Sequence, residues 1–156
     1  MVALKGIPAI ISPELLYTLA KMGHGDELVL ADVNFPVSLI CRFGPTEVRA
    51  DGLGGPQLLE AILKLFPIDT YVTNAAAVMN LDEADQRRQL SIPVWYIYES
   101  LLRRSGLDEY TSMDYIKRSA FYERAKKAAA VVATGEMSLY GSLIIRKGVI
   151  TVEDQK

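Results

Sequence analysis

SPELLYTLAKMGHGDELVLADVNFP, residues 12 to 36, reads as a helix, a turn and a buried strand in succession, and that order decides the fold class. Ser12 has the hydroxyl of an N-cap, and Pro13 suits the first helical position because its missing N–H would be unpaired there anyway. Glu14 lies favourably against the positive end of the helix dipole. Leu15, Leu16, Leu19 and Ala20 then recur at helical spacing, and Gly23 is expected to stop the helix, leaving His24 just past its end. Leu28 to Ala31 is a short, continuous apolar run, the pattern of a strand buried on both faces. Asp32 follows directly. Ligands of open α/β sheets collect beyond the carboxyl ends of the strands, which singles out this carboxylate. Capping the turn through Asn34 and Pro36 is an equally good local role for it.

Working outward, Gly52 to Pro56 reads as a loop, and Pro56 opens a helix with Leu58, Leu59, Ile62, Leu63 and Phe66 on its inner face, ended by Pro67. Tyr71 to Met79 reads as strand-like or extended, and the charged stretch Asp82 to Arg88 as solvated surface with no further role. Pro93 to Arg104 fits a helix carrying Trp95, Tyr98, Leu101 and Leu102, closed by Gly106. Phe121 to Lys127 reads as a short helix and Ala128 to Thr134 as a buried strand, followed by a turn at Gly135 and Glu136. Leu143 to Arg146 and Val149 to Thr151, joined through Lys147 and Gly148, are expected to form a hairpin. Strands alternating with helices predict an α/β layered domain with a central sheet flanked by helices, and residues 1–156 read as a single domain without internal repeats.

Composition narrows the function classes. The chain has 156 residues, half of them hydrophobic, enough for a core without disulfides or metal. A net charge of -2 gives no attraction to phosphate backbones or anionic lipid, so neither nucleic acid nor a membrane is an expected partner. One cysteine, Cys41, and one histidine cannot fill an ordinary structural zinc site, so no metal is expected. Cys41 reads as a buried small hydrophobe in a reducing compartment. Met1 to Ile11 lacks the pattern of a secretory signal, and there is no run of about 18 apolar residues. The expected location is the cytoplasm.

The sequence has no GxxxxGK[ST], GxGxxG after a strand, HExxH or GxSxG, which leaves phosphoryl transfer and dinucleotide chemistry without support. The remaining polar candidates are His24, Asp32, Asp69, Tyr122 and Tyr140. His24 lies between two glycines, which permit unusual backbone angles and leave room beside the ring. An imidazole, with an unperturbed pKa of roughly 6.5, exchanges protons near neutral pH. Histidine, carboxylate and phenol can move protons between oxygen atoms without an organic cofactor. Each has a structural alternative: a turn histidine, an amphipathic helix tyrosine at 122, a core-filling thioether at Met79. Tyr140, in Leu139-Tyr140-Gly141-Ser142, stands beside a flexible glycine in a turn.

Taken together, SPELLYTLAKMGHGDELVLADVNFP, RADGLGGPQLLEAILKLFPIDTY, FYERAKKAAAVVATGE and YGSLIIRKG resemble the family of sugar mutarotases that includes fucose mutarotase and ribose pyranase, on its fucose side. Phe121, Tyr122, Glu123 and Arg124 separate that branch from its pentose-specific relatives. The resemblance implies a mixed β-sheet flanked by helices and an isomerase of the racemase/epimerase class. Its members open the pyranose ring of a free monosaccharide, rotate about C1–C2 and reclose it, without a cofactor. His24 would then be the proton donor, assisted by Asp69 and Tyr122. Asp32 would hold a sugar hydroxyl or orient the imidazole, and Met79, Tyr122, Tyr140 and Ser142 would line the sugar site, with Arg118 a further candidate. Ser142 departs from the family's usual asparagine, exchanging an amide for a shorter-reaching hydroxyl. The resemblance also implies a homo-oligomer whose sites are completed by a neighbouring subunit. Alternatives are a ribose-pyranase-type activity on pentoses and a non-catalytic monosaccharide-binding module.

Overall fold

The structure, a computed structural model, describes residues 3–108 and 112–155. Among them, six strands form one sheet: β1 (Glu27–Ala31), β2 (Thr46–Ala50), β3 (Ala76–Met79), β4 (Asp114–Ile116), β5 (Ala130–Thr134) and β6 (Leu143–Arg146). Their spatial order is β2-β5-β1-β6-β3-β4. β1 runs parallel to β5, β5 to β2, and β3 to β4, whereas β6 lies antiparallel between β1 and β3. The central mixed sheet predicted for an α/β domain is therefore present. β6 also corrects an expectation: it pairs Leu28 with Ile145 and Ala77 with Ile144, not with Val149 to Thr151, which is not strand. Both of its ladders are occupied by β1 and β3, so the third segment has no backbone groups left to meet.

The helices are α1 (Pro13–Lys21), α2 (Val37–Cys41), α3 (Gly55–Leu63), α4 (Glu83–Arg87), α5 (Pro93–Arg104) and α6 (Arg118–Ala125), and a 3₁₀ turn follows at Glu153–Gln155. α1 starts as its sequence predicts, with the Leu15 N–H donating to Ser12 Oγ at 3.1 Å. It ends one residue early, at Lys21, with Met22 as the extended C-cap. The left-handed backbone falls at Gly25 (φ +90°) rather than Gly23, so Gly25 makes the turn that leads into β1.

Two cores lie on opposite faces of the sheet. Leu28, Leu30, Val132, Leu143 and Ile145 face one way and pack with Leu15 and Leu19 of α1, Leu58 and Ile62 of α3, and Tyr98 and Leu102 of α5. Val29, Ala31, Val131, Ala133 and Ile144 face the other way, against Val37 and Ile40 of α2 and Phe121 and Ala125 of α6. This double burial is why the central strands read as continuous apolar runs. Each fully buried leucine or isoleucine contributes roughly 1.5–3 kcal/mol over leaving it in water.

The edge strands did not show in the sequence. In β2 only Val48 is buried, and Glu47 and Arg49 stand exposed, a charged edge that discourages pairing with another chain. β4 is three residues long, and α2 grows from the turn after Asp32. The extended stretch predicted from Tyr71 narrows to the four residues of β3, and the helix predicted from Phe121 starts earlier, at Arg118.

Candidate active site

Because five strands run one way and β6 the other, the sheet has two chemically distinct edges. The carboxyl ends of β1 and β3 and the start of β6 bring Asp32, Met79 and Ser142 together. A cavity of about 370 Å³ opens there, and Tyr122 and Tyr140 also line it. That size suits one small polar molecule.

Asp32 is nearly buried, caps its turn and lines the cavity. Its Oδ1 accepts the Asn34 N–H at 2.9 Å, capping the turn, and its Oδ2 accepts the Gly141 N–H at 3.1 Å while the carboxylate faces the cavity. Ser142 Oγ accepts the Asp32 N–H at 2.9 Å, so its own proton is free to be donated into the cavity. Tyr122, on α6, packs edge-to-face on Phe35, with ring centroids 5.6 Å apart. Met79 ends β3 and supplies apolar wall.

Tyr140 takes a left-handed backbone (φ +56°), a conformation uncommon for a non-glycine residue and held here by several contacts. The Trp95 indole N–H donates to its carbonyl at 2.9 Å. Its own hydroxyl donates to Asp85 Oδ2 at 2.5 Å and accepts the Asp82 N–H at 3.2 Å. Arg118 reaches Asp82 Oδ2 at 2.6 Å, and Arg88 pairs with Asp85. The segment 82–88 is thus more than solvated surface. It folds as α4, and both Asp82 and Asp85 line the cavity. The Tyr140 hydroxyl and then Arg88 hold the Asp85 carboxyl below the usual carboxylate range. Burial, and then the bond to Asp85, push the Tyr140 phenol up.

His24 and Asp69 are not in this cavity. They meet at the opposite edge of the sheet, where His24 Nε2 lies 3.3 Å from Asp69 Oδ2. Asp69 is fully buried, whereas the imidazole keeps 49% of its surface exposed. Asp69 Oδ1 accepts the Tyr71 N–H at 3.0 Å, and Oδ2 accepts Arg146 Nε–H at 2.9 Å. Burial raises its pKa, but the Tyr71 N–H, Arg146 and His24 together outweigh that and leave it below the ordinary value. The loop carrying His24 is pinned on several sides. The Gly25 N–H donates to the Lys147 carbonyl, and the Lys147 N–H to the Asp26 carbonyl, each at 2.8 Å. Lys147 Nζ donates to the Leu19 and Met22 carbonyls, and the Gly23 N–H donates to Asp26 Oδ2 at 2.7 Å. The space beside Gly25 is not open for a ligand: a Cβ there would fall 3.1 Å from the Arg146 guanidinium.

β1 alone separates the two edges, and five strand residues at about 3.3 Å each put roughly 16 Å between them. Within one chain Asp32 therefore cannot orient His24, and Asp69 does so instead. Sequence reasoning missed Asp82, Asp85, Trp95 and Arg146 as site residues. Arg146 could be found only by knowing that β6 inserts antiparallel, which carries its last residue back to the His24 edge.

The matching family model, described as the RbsD / FucU transport protein family, spans residues 5–150. The chain is 65% identical over 152 residues to the fucose mutarotase of Homo sapiens, covering 97% of each chain. It superposes on FucU from Bifidobacterium longum with a TM-score of 0.88 and 44% identity, covering 94% of this chain and 100% of that one. It also superposes on the fucose mutarotase in complex with L-fucose from Streptococcus pneumoniae with a TM-score of 0.85 and 44% identity, covering 95% and 100%. With its fold, its length and its sequence all matched nearly end to end, the chain belongs to the RbsD / FucU family.

Proposed function

We propose that this protein is an isomerase of the racemase/epimerase class that interconverts the α and β anomers of free L-fucose in the cytoplasm. A single observation carries the reading: a cavity of monosaccharide size ringed by hydroxyl-binding groups, and an exposed imidazole backed by a buried carboxylate, stand at opposite edges of one sheet. The likeness to proteins named fucose mutarotase, one of them solved with L-fucose, supports the choice of sugar.

Anomer exchange needs a proton delivered to the ring oxygen as its bond to C1 breaks, and a proton removed from the C1 hydroxyl. The open-chain aldehyde then rotates about C1–C2 and recloses on its other face with both protons returned. His24 is the donor to the ring oxygen. Asp69, on the Nε2 side, steadies the protonated ring and leaves Nδ1 for the sugar. Having no exposed surface, Asp69 acts through the imidazole, and Tyr122 is the cavity group that serves the C1 hydroxyl. Asp32, Tyr140 and Ser142 hold the remaining hydroxyls, and the Met79 thioether faces the sugar's methyl group.

No chain can bring its own His24 to its own cavity, so the site is shared in a homo-oligomer. Apolar surface at both edges supports that assembly: Tyr71, 74% exposed, stands beside His24, and Leu139 is exposed at the cavity. In saturation-transfer NMR the protein should accelerate exchange between the anomeric proton signals of L-fucose more than those of D-ribose, and His24→Ala should return exchange to the buffer rate. Wild-type protein that leaves L-fucose at the buffer rate refutes the proposal.

A further inference from the structure

We infer that Asp85 is a positioning residue that fixes the direction of the Tyr140 phenol proton, so that Tyr140 meets the sugar only as a hydrogen-bond acceptor and selects a sugar hydroxyl that donates. The inference rests on the reading of the cavity as a monosaccharide site. It adds a residue and a polarity to that reading.

The geometry leaves little freedom. The Tyr140 hydroxyl has one proton, and that proton lies in the bond to Asp85 Oδ2. An ionised Asp85 can only accept, and Arg88 on its other oxygen favours the ionised form. The Asp82 N–H donates to the same phenol oxygen, so the phenol proton does not point toward that backbone either. What the phenol can still offer the cavity is lone-pair density. The ring cannot swing away to change this, because the Trp95 N–H grips its backbone carbonyl and the two rings pack at 6.4 Å. Asp82, which also lines the cavity, pairs with Arg118 through Oδ2, while the phenol proton goes to Asp85. The surrounding polar groups thus divide their roles. Tyr140 accepts, Asp32 accepts, and Ser142 retains a proton to donate.

The test uses Asp85→Asn and Asp85→Ala in the full-length protein, with anomer exchange of L-fucose and of its monodeoxy-fluoro analogues read by NMR. Fluorine accepts weakly and never donates, so wild type should discriminate against the analogue fluorinated where Tyr140 reads the sugar. In Asp85→Asn the introduced amide can donate to the phenol oxygen and release the phenol proton toward the cavity. Asp85→Asn should therefore raise KM for L-fucose about tenfold, the worth of one lost hydrogen bond, with kcat within about twofold. It should also narrow the discrimination against that fluoro analogue. Asp85→Ala, which leaves the phenol proton unanchored, should raise KM while narrowing discrimination less. Should either variant lose its native circular dichroism, the other carries the test, because α4 is an exposed five-residue helix outside both cores. Unchanged KM in both variants, a loss confined to kcat, or a fluoro-analogue profile identical to wild type overturns the inference while leaving the mutarotase reading standing. Wild-type inactivity on L-fucose overturns both.

Discussion

Asp69 has no exposed surface and three partners, and this combination gives one carboxylate a double role. Its pKa in the fold lies below the ordinary value, because the Tyr71 N–H, Arg146 and His24 outweigh the opposing effect of burial. The folded chain therefore takes up this proton less readily than the unfolded chain. The resulting stabilisation is complete above the unfolded carboxylate pKa of about 4 and is lost as pH falls through the lower folded value. Asp69→Asn should flatten the acid limb of melting temperature against pH, measured by thermal denaturation between about pH 2 and 7. Under the proposed mechanism the same variant should also slow L-fucose exchange at neutral pH, because it removes the carboxylate charge beside His24. Acid limbs that superpose for wild type and variant would rule out this account of Asp69.

Elements carry the site through a close approach between α3 and α5. A Cβ at Gly55 would fall 2.0 Å from the Tyr98 hydroxyl, which donates to the Gly141 carbonyl at 2.7 Å beside the cavity. Tyr98 is fully buried, and burial, with Glu136 and Asp32 adding to it, pushes its phenol far up, so it stays a donor throughout the working range. Gly55 also donates its N–H to Glu136 Oε1 at 2.8 Å, tying the start of α3 to the loop after β5. Gly55→Ala should cost about 1–3 kcal/mol by overpacking. For a chain of this length that lowers the melting temperature by about 2–4 °C per kcal/mol. Displacing Tyr98 also frees Gly141 and with it Tyr140, so KM for L-fucose should rise in the same variant. A Gly55→Ala protein with wild-type melting and KM would show that Tyr98 does not transmit position to the cavity.

At the scale of the whole molecule, the sheet topology sets His24 and the cavity at opposite edges, and the proposed reaction then needs a second chain. His24 and Tyr122 stand at opposite edges, so under the proposed shared site His24→Ala and Tyr122→Phe damage different halves of it. Two inactive variants, unfolded and refolded together in equal amounts, should recover about a quarter of wild-type exchange if each site takes one half from each of two neighbours at random. Mixing without subunit exchange should recover none. A mixture that stays inactive after verified co-assembly would place each site within one chain and contradict the shared arrangement.

Much of this was legible along the chain because it is local. The Ser12 cap, the doubly buried run at 28–31, the break at Gly106, and the placement of Asp32 after a strand all follow from spacing and side-chain type over a few residues, whereas the helix expected to run through Phe66 to Pro67 ends at Leu63. Spacing over a few residues could not reveal that β6 enters the sheet antiparallel between β1 and β3, since strand pairing is a choice among distant partners. That insertion carries Ser142 to the cavity and Arg146 to Asp69. It was the tertiary structure, by dividing the polar residues between two edges too far apart for one side chain to bridge, that decided which of them can act together.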